Sequence, residues 1–105
     1  MTKEEKIEII LELIGKKENA RAYYAMLDQL GDLKSNYGDY MITEPINCDE
    51  ELKRLHEADY ELCTAFLTML LREDHFCNGS LVERLENGQV DAILKQMIRK
   101  LEVNN

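Results

Sequence analysis

Apolar side chains recur every third or fourth position over most of the chain, a spacing that gathers them on one face of an α-helix. The repeat is clearest near the C-terminus, where its members are Val90, Ile93, Leu94, Met97, Ile98 and Leu101. Residues 41–43 could form an extended piece, but one strand cannot make a sheet. The sequence therefore predicts an all-α fold, a compact bundle of four to five helices with one long central helix.

Helix-capping residues and turn formers divide the chain into segments. Three pairs fit the capping box, in which a cap side chain and the residue three positions later satisfy free amides reciprocally. These pairs are Thr2 with Glu5, Asn47 with Glu50, and Ser80 with Glu83. We predict one domain over residues 1–105. Its parts are N-terminal helices within 3–30, a loop at 31–47, a long helix at 48–74 and C-terminal helices within 80–103.

No targeting or membrane-spanning segment is expected. No apolar run approaches the roughly 20 residues that cross a bilayer, and the first ten residues, MTKEEKIEII, lack the pattern of a secretory signal. Three cysteines, an odd number, indicate reduced thiols. We therefore predict a cytoplasmic protein that does not bind membranes.

The charge is negative and unevenly placed. The net charge is −8, and residues 31–61 hold nine acidic and three basic residues, a charge of −6. Because nucleic-acid binding draws its affinity from lysine and arginine, direct binding of DNA or RNA is not expected. The acids either keep the protein soluble or face a protein partner, in one form as an acidic decoy for a nucleic-acid-binding protein.

The loop at 31–47 carries the candidate interaction residues. Turn formers interrupt the helical periodicity here, and a connection of this length is often functional. The candidates are two tyrosines and two neighbouring acids: Tyr37, Asp39, Tyr40 and Glu44. Tyrosines among acids can anchor a partner, although they can equally fold back onto the core.

A second candidate region is the corner LREDHFCNGSLVERLENGQ, which begins at Leu71. It gathers residues that suit either a structural knot or a ligand site, namely Arg72, Asp74, His75, Phe76, Cys77, Gly79 and Ser80. As a corner, Ser80 would cap the next helix and Phe76 would enter the core. As a site, His75 with Cys77 could bind a metal or act as base and nucleophile, although the spacing fits no zinc motif. The amides at 79–81 could instead hold an anion.

The same region resembles a family of small prokaryotic proteins known only as a domain of unknown function. The resemblance spans about residues 60–101. The matching positions are Arg72, Asp74, Phe76, Gly79, Leu81, Gly88, Ile93, Leu94 and Leu101. It implies a compact, mainly helical cytoplasmic protein with no assigned activity, and a specific structural knot in which Arg72 and Asp74 pair with backbone or with each other.

Together these features predict a non-enzymatic protein-interaction or regulatory module that uses its acidic middle segment and needs no cofactor. The alternative is a small-ligand-binding or metal-dependent enzyme centred on Arg72, His75 and Cys77. The apolar stripe of the first predicted helix is almost purely aliphatic, so a homodimer that buries it against a second copy is a further alternative.

Overall fold

The structure, a computed structural model, describes residues 1–103 and confirms an all-helical bundle. Within those residues it has six α-helices and no strand, whereas four to five helices were predicted. The helices are α1 (Lys3–Leu11), α2 (Ala20–Leu30), α3 (Cys48–Leu52), α4 (Tyr60–Phe76), α5 (Ser80–Glu86) and α6 (Gln89–Val103). Two 3₁₀ helices lie in the connections, at Tyr37–Tyr40 and Leu55–Glu57.

Local capping signals set where the first three helices begin. The Thr2 hydroxyl accepts from the Glu5 amide at 3.1 Å, and the Glu5 carboxylate accepts from the Thr2 amide at 3.1 Å, which confirms this capping box. Asn19 and Asn47 cap α2 and α3 through their side-chain oxygens. These starts were predictable because each cap satisfies amides of its own helix.

The prediction of one helix over residues 48–74 is wrong. The chain leaves the helix before Ala58, whose backbone is extended, and starts again at α4. Asp59 is exposed and caps α4, accepting from the Leu62 amide at 2.8 Å. Gln96, on α6, donates to the freed Ala58 carbonyl at 2.9 Å. The cap and this long-range hydrogen bond together outweigh the apolar periodicity.

Helix α4 is the centre of the bundle. Every residue from Cys63 to Leu71 is buried, with α2, α5 and α6 packed against the helix. Two threonines in this stretch donate to carbonyls of the helix itself, Thr64 to Glu61 at 2.8 Å and Thr68 to Thr64 at 2.9 Å. The helix has 17 residues, and no helix within residues 1–103 combines the length and hydropathy needed to cross a bilayer.

The connection between α2 and α3 is tied to the bundle where it begins. The Asp32 carboxylate accepts from Lys6 on α1 at 2.9 Å and from the Tyr60 hydroxyl on α4 at 2.6 Å. The predicted loop 31–47 is therefore anchored at its start, and its middle contains the 3₁₀ helix Tyr37–Tyr40.

Candidate functional site

Residues 72–80 form the corner that joins α4 to α5. Asp74 accepts from the Leu81 amide at 2.9 Å, which ties the end of α4 to the first turn of α5. Gly79 lies between them with φ +92°, a torsion that residues with a Cβ rarely adopt. The amides of Ser80 and Leu81, considered above for an anion, donate to the Cys77 carbonyl and to Asp74.

Two expectations for this corner are wrong. Ser80 does not cap α5, since Gly79 occupies the cap position with no side-chain hydrogen bond and the Ser80 hydroxyl donates to Glu73 instead. Phe76 does not enter the core but is 80% exposed, with its ring edge-on to that of His75 at 5.0 Å between centroids. The reason is that α4 extends past its last fully buried residue, Leu71.

The three residues proposed for chemistry, Arg72, His75 and Cys77, have different surroundings. The Arg72 guanidinium lies 5.8 Å from the ring centroid of Tyr24 on α2 and forms no ion pair with Asp74. His75 and Cys77 are both exposed. Within residues 1–103 no three histidine, cysteine or acidic side chains are grouped as metal ligands.

The other two cysteines are packed thiols. Burial raises the pKa of Cys63, in the core of α4, to about 12. Burial, and then the nearby Glu73 carboxylate, raise the pKa of Cys48 to about 12. Both thiols therefore stay protonated, and unreactive as nucleophiles, at neutral pH.

The corner is held by an ion-pair network that the sequence did not indicate. Arg84 on α5 donates to both carboxylate oxygens of Glu73 on α4, at 3.0 and 2.8 Å, and Ser80 adds a third hydrogen bond. These hydrogen bonds, above all those from Arg84, hold the pKa of Glu73 below its usual value. Arg84 also donates to Asp49 at 2.5 Å and Gln89 at 2.9 Å. One guanidinium therefore connects α3, α4, α5 and α6.

Most carboxylates of the acidic segment 31–61 already have an interaction partner within the protein. Five of them pair with a lysine or arginine within 4.0 Å: Asp32, Asp49, Glu50, Glu51 and Glu61. Asp59 is the cap of α4. Asp39 and Glu44 are exposed, and neither has a basic partner among the described residues.

The two candidate interaction tyrosines, Tyr37 and Tyr40, are half-buried. Tyr37 packs against the core, which is the arrangement expected for a loop side chain folded back onto the protein. The Tyr40 carbonyl accepts from the Arg54 guanidinium at 2.9 Å. Of the four candidate interaction residues, only Asp39 and Glu44 are exposed.

A buried glutamate that the sequence did not reveal, Glu51, holds part of the connection that carries these acids. Glu51 is 0% exposed. One of its oxygens accepts from the Ile42 amide at 2.9 Å, the Thr43 amide at 2.6 Å and the Thr43 hydroxyl, and the other accepts from Arg54 at 2.5 Å. Burial acts to raise the pKa of Glu51, but these hydrogen bonds outweigh it and lower the pKa. Glu51 is therefore held as a carboxylate at neutral pH.

The loop that Glu51 holds is closed at its other end as well. The Thr43 hydroxyl accepts from the Asn47 amide at 2.9 Å, and Asn47 in turn caps α3. Between these points Glu44, Pro45 and Ile46 are exposed. Ile42, at the start, is 72% exposed. We call residues 42–47 the clamped loop.

Nothing local distinguishes Glu51 in the sequence. It is the last of three successive acids, Asp49–Glu51, and only the folded chain shows which one turns inward. Its position four residues before the apolar Leu55 is the one available signal, since residues four apart share a helix face.

Comparison with known proteins identifies the family. No curated protein and no solved structure matches the chain significantly. The sequence does match the family of unknown function DUF6508 over residues 1–102. This confirms the resemblance to a family of unknown function and extends it to the N-terminal half, which had shown no resemblance. The chain belongs to the DUF6508 family.

Proposed function

We propose that this protein is a non-enzymatic interaction module that binds a basic partner protein through the clamped loop. The observation that carries the proposal is the setting of Ile42, whose side chain is 72% exposed while its amide is fixed by the buried Glu51. An apolar side chain on a preorganised backbone binds with little loss of conformational freedom. Such a residue suits the centre of a small interface.

The free acids define the partner's chemistry. Asp39 and Glu44 lie near Ile42 in the sequence and have no basic partner among residues 1–103, whereas most other acids of the segment do. Two carboxylates without a basic partner, close in sequence to an exposed isoleucine, favour a partner surface with lysine or arginine around an apolar patch. A nucleic-acid-binding protein has such a surface, so the acidic decoy is a special form of this proposal.

The cysteines support a cytoplasmic setting for the module. All three are free thiols, Cys48, Cys63 and Cys77, and Cys77 is exposed. Exposed thiols persist in reducing compartments.

The test is affinity for a partner captured from a lysate of cells that naturally produce the protein. Once that partner is purified, we expect Ile42→Ser and the double variant Asp39→Lys, Glu44→Lys each to weaken binding at least about tenfold. Isothermal titration calorimetry gives the affinities, and circular dichroism verifies that the variants are folded. The acids paired inside the protein, Asp49 and Glu50, are left unchanged.

The matched control changes the same charge elsewhere. Glu12 and Glu86 are exposed at the ends of α1 and α5, outside the clamped loop, so Glu12→Lys with Glu86→Lys should leave the affinity unchanged. Equal affinity of the wild type, of Ile42→Ser and of the double variant at Asp39 and Glu44 would contradict the proposal. So would a loss of binding that the control pair shares.

A further inference from the structure

A groove separate from the clamped loop lies between the 52–56 segment and α6. Its volume is about 560 Å³, within the range typical of small-molecule sites. Leu52 and Leu55 line it from the 52–56 segment, and Ala92 lines it from α6. These side chains give the groove an apolar floor.

Basic side chains without acidic partners line the same groove. Lys95 and Arg99 are four residues apart on α6 and so share a helix face. Arg99 donates only to the neutral side-chain oxygen of Gln96, and neither residue pairs with a carboxylate within the described part of the chain. In a protein with a net charge of −8, two unpaired cations on one groove are a local reversal of sign.

One acidic side chain, Asp91, also lines the groove, so the formal charge of the lining side chains is +1 with His56 neutral. The Asp91 carboxylate accepts from the Gly15 amide with both oxygens, at 3.2 Å each, which ties it to the connection after α1. His56 lies on the opposite wall, with its imidazole 3.7 Å from Glu57. Lys95 and Arg99 therefore offer charge-assisted hydrogen bonds to an incoming anion.

We propose that this groove binds a small organic anion with an apolar body and one carboxylate. The apolar body lies on Leu52, Leu55 and Ala92, and the carboxylate is bound by Lys95 and Arg99. Arginine suits this role because its planar donors match a carboxylate bidentately. The site is independent of the clamped loop, so a failure of either proposal leaves the other standing.

The test uses three probes and nuclear magnetic resonance of the full chain. We expect 4-phenylbutyrate to shift the amide signals of residues that line the groove. Its neutral analogue 4-phenylbutyramide lacks the charge, and acetate lacks the apolar body, so each should bind at least about tenfold more weakly. This comparison needs only the wild-type protein and does not depend on the folding of a variant.

A double variant tests whether Lys95 and Arg99 supply the charge that binds the carboxylate. Lys95→Gln with Arg99→Gln should weaken 4-phenylbutyrate binding at least about tenfold. The control pair Lys16→Gln with Lys17→Gln makes the same charge change at exposed positions outside the groove and should leave binding unchanged. Absence of groove-specific shifts, equal affinity for the amide, or equal weakening by the control pair would each overturn the proposal.

Discussion

Replacing Glu51 with alanine is expected to lower the free energy of unfolding by about 3 kcal/mol. The variant leaves the Ile42 and Thr43 amides without their acceptor and removes the carboxylate that pairs with Arg54. Glu51 is fully buried, and removal of one partner from a buried, hydrogen-bonded ion pair is among the costlier single changes. Urea denaturation followed by circular dichroism measures the loss.

Glu50→Ala is the matched control for this prediction. It removes an exposed carboxylate one residue earlier, whose partner Lys53 is also exposed, and should leave the unfolding free energy within experimental error. If Glu51→Ala were as mild as Glu50→Ala, the hydrogen bonds of the buried carboxylate would not stabilise the fold.

The same carboxylate makes stability depend on pH. The pKa of Glu51 is lower in the folded protein than its ordinary value of 4.5. Its contribution is therefore complete above pH 4.5 and is lost as the pH falls through the folded value. Wild-type stability should decline more steeply below pH 4.5 than that of Glu51→Gln. Glu73, whose pKa is also lowered, is present in both proteins, so the difference between them isolates Glu51.

Replacing Glu73 with alanine is expected to cost about 2 kcal/mol of unfolding free energy. Its carboxylate accepts three hydrogen bonds, two of them from Arg84, whose side chain is only 12% exposed. A double-mutant cycle of Glu73→Ala and Arg84→Ala, measured by urea denaturation, should give a coupling energy of about 1.5 kcal/mol.

The control for this cycle lies on the same short helix as Arg84. Glu86 is exposed at the end of α5, and its replacement by alanine should leave stability nearly unchanged. Additive effects of Glu73→Ala and Arg84→Ala would mean that this ion pair does not hold the corner.

The sequence predicted those parts of the fold that depend on neighbouring residues. The capping box at Thr2 and the apolar stripe of α6 are both local, and both are present in the structure. The break before α4 was missed because only one of its two causes, the Asp59 cap, is local, whereas the other is the hydrogen bond that Gln96 donates to the Ala58 carbonyl, 38 residues away. The apolar periodicity continues without interruption across that break, and it therefore predicted a single helix.

The candidate site was predictable to the same extent. Turn formers correctly placed Asp39 and Glu44 in an exposed connection. The contacts between Arg84 and Glu73 join residues 11 apart across a turn, and the role of Glu51 depends on a loop that folds back onto it. The prediction for Phe76 was wrong because its size and apolarity suggested burial, whereas its position at the end of α4 leaves it exposed.

Amide hydrogen exchange at Ile42 and Thr43 reports on the clamp itself, because Glu51 is the acceptor for both amides. In the wild type at neutral pH, both amides should exchange at least about 100-fold more slowly than in an unstructured peptide, and Glu51→Ala should abolish that protection while the amides of α4 stay protected. Exchange of Ile42 and Thr43 at peptide rates in the wild-type protein would show that the loop is not held, and the proposed interaction surface would lose its physical basis.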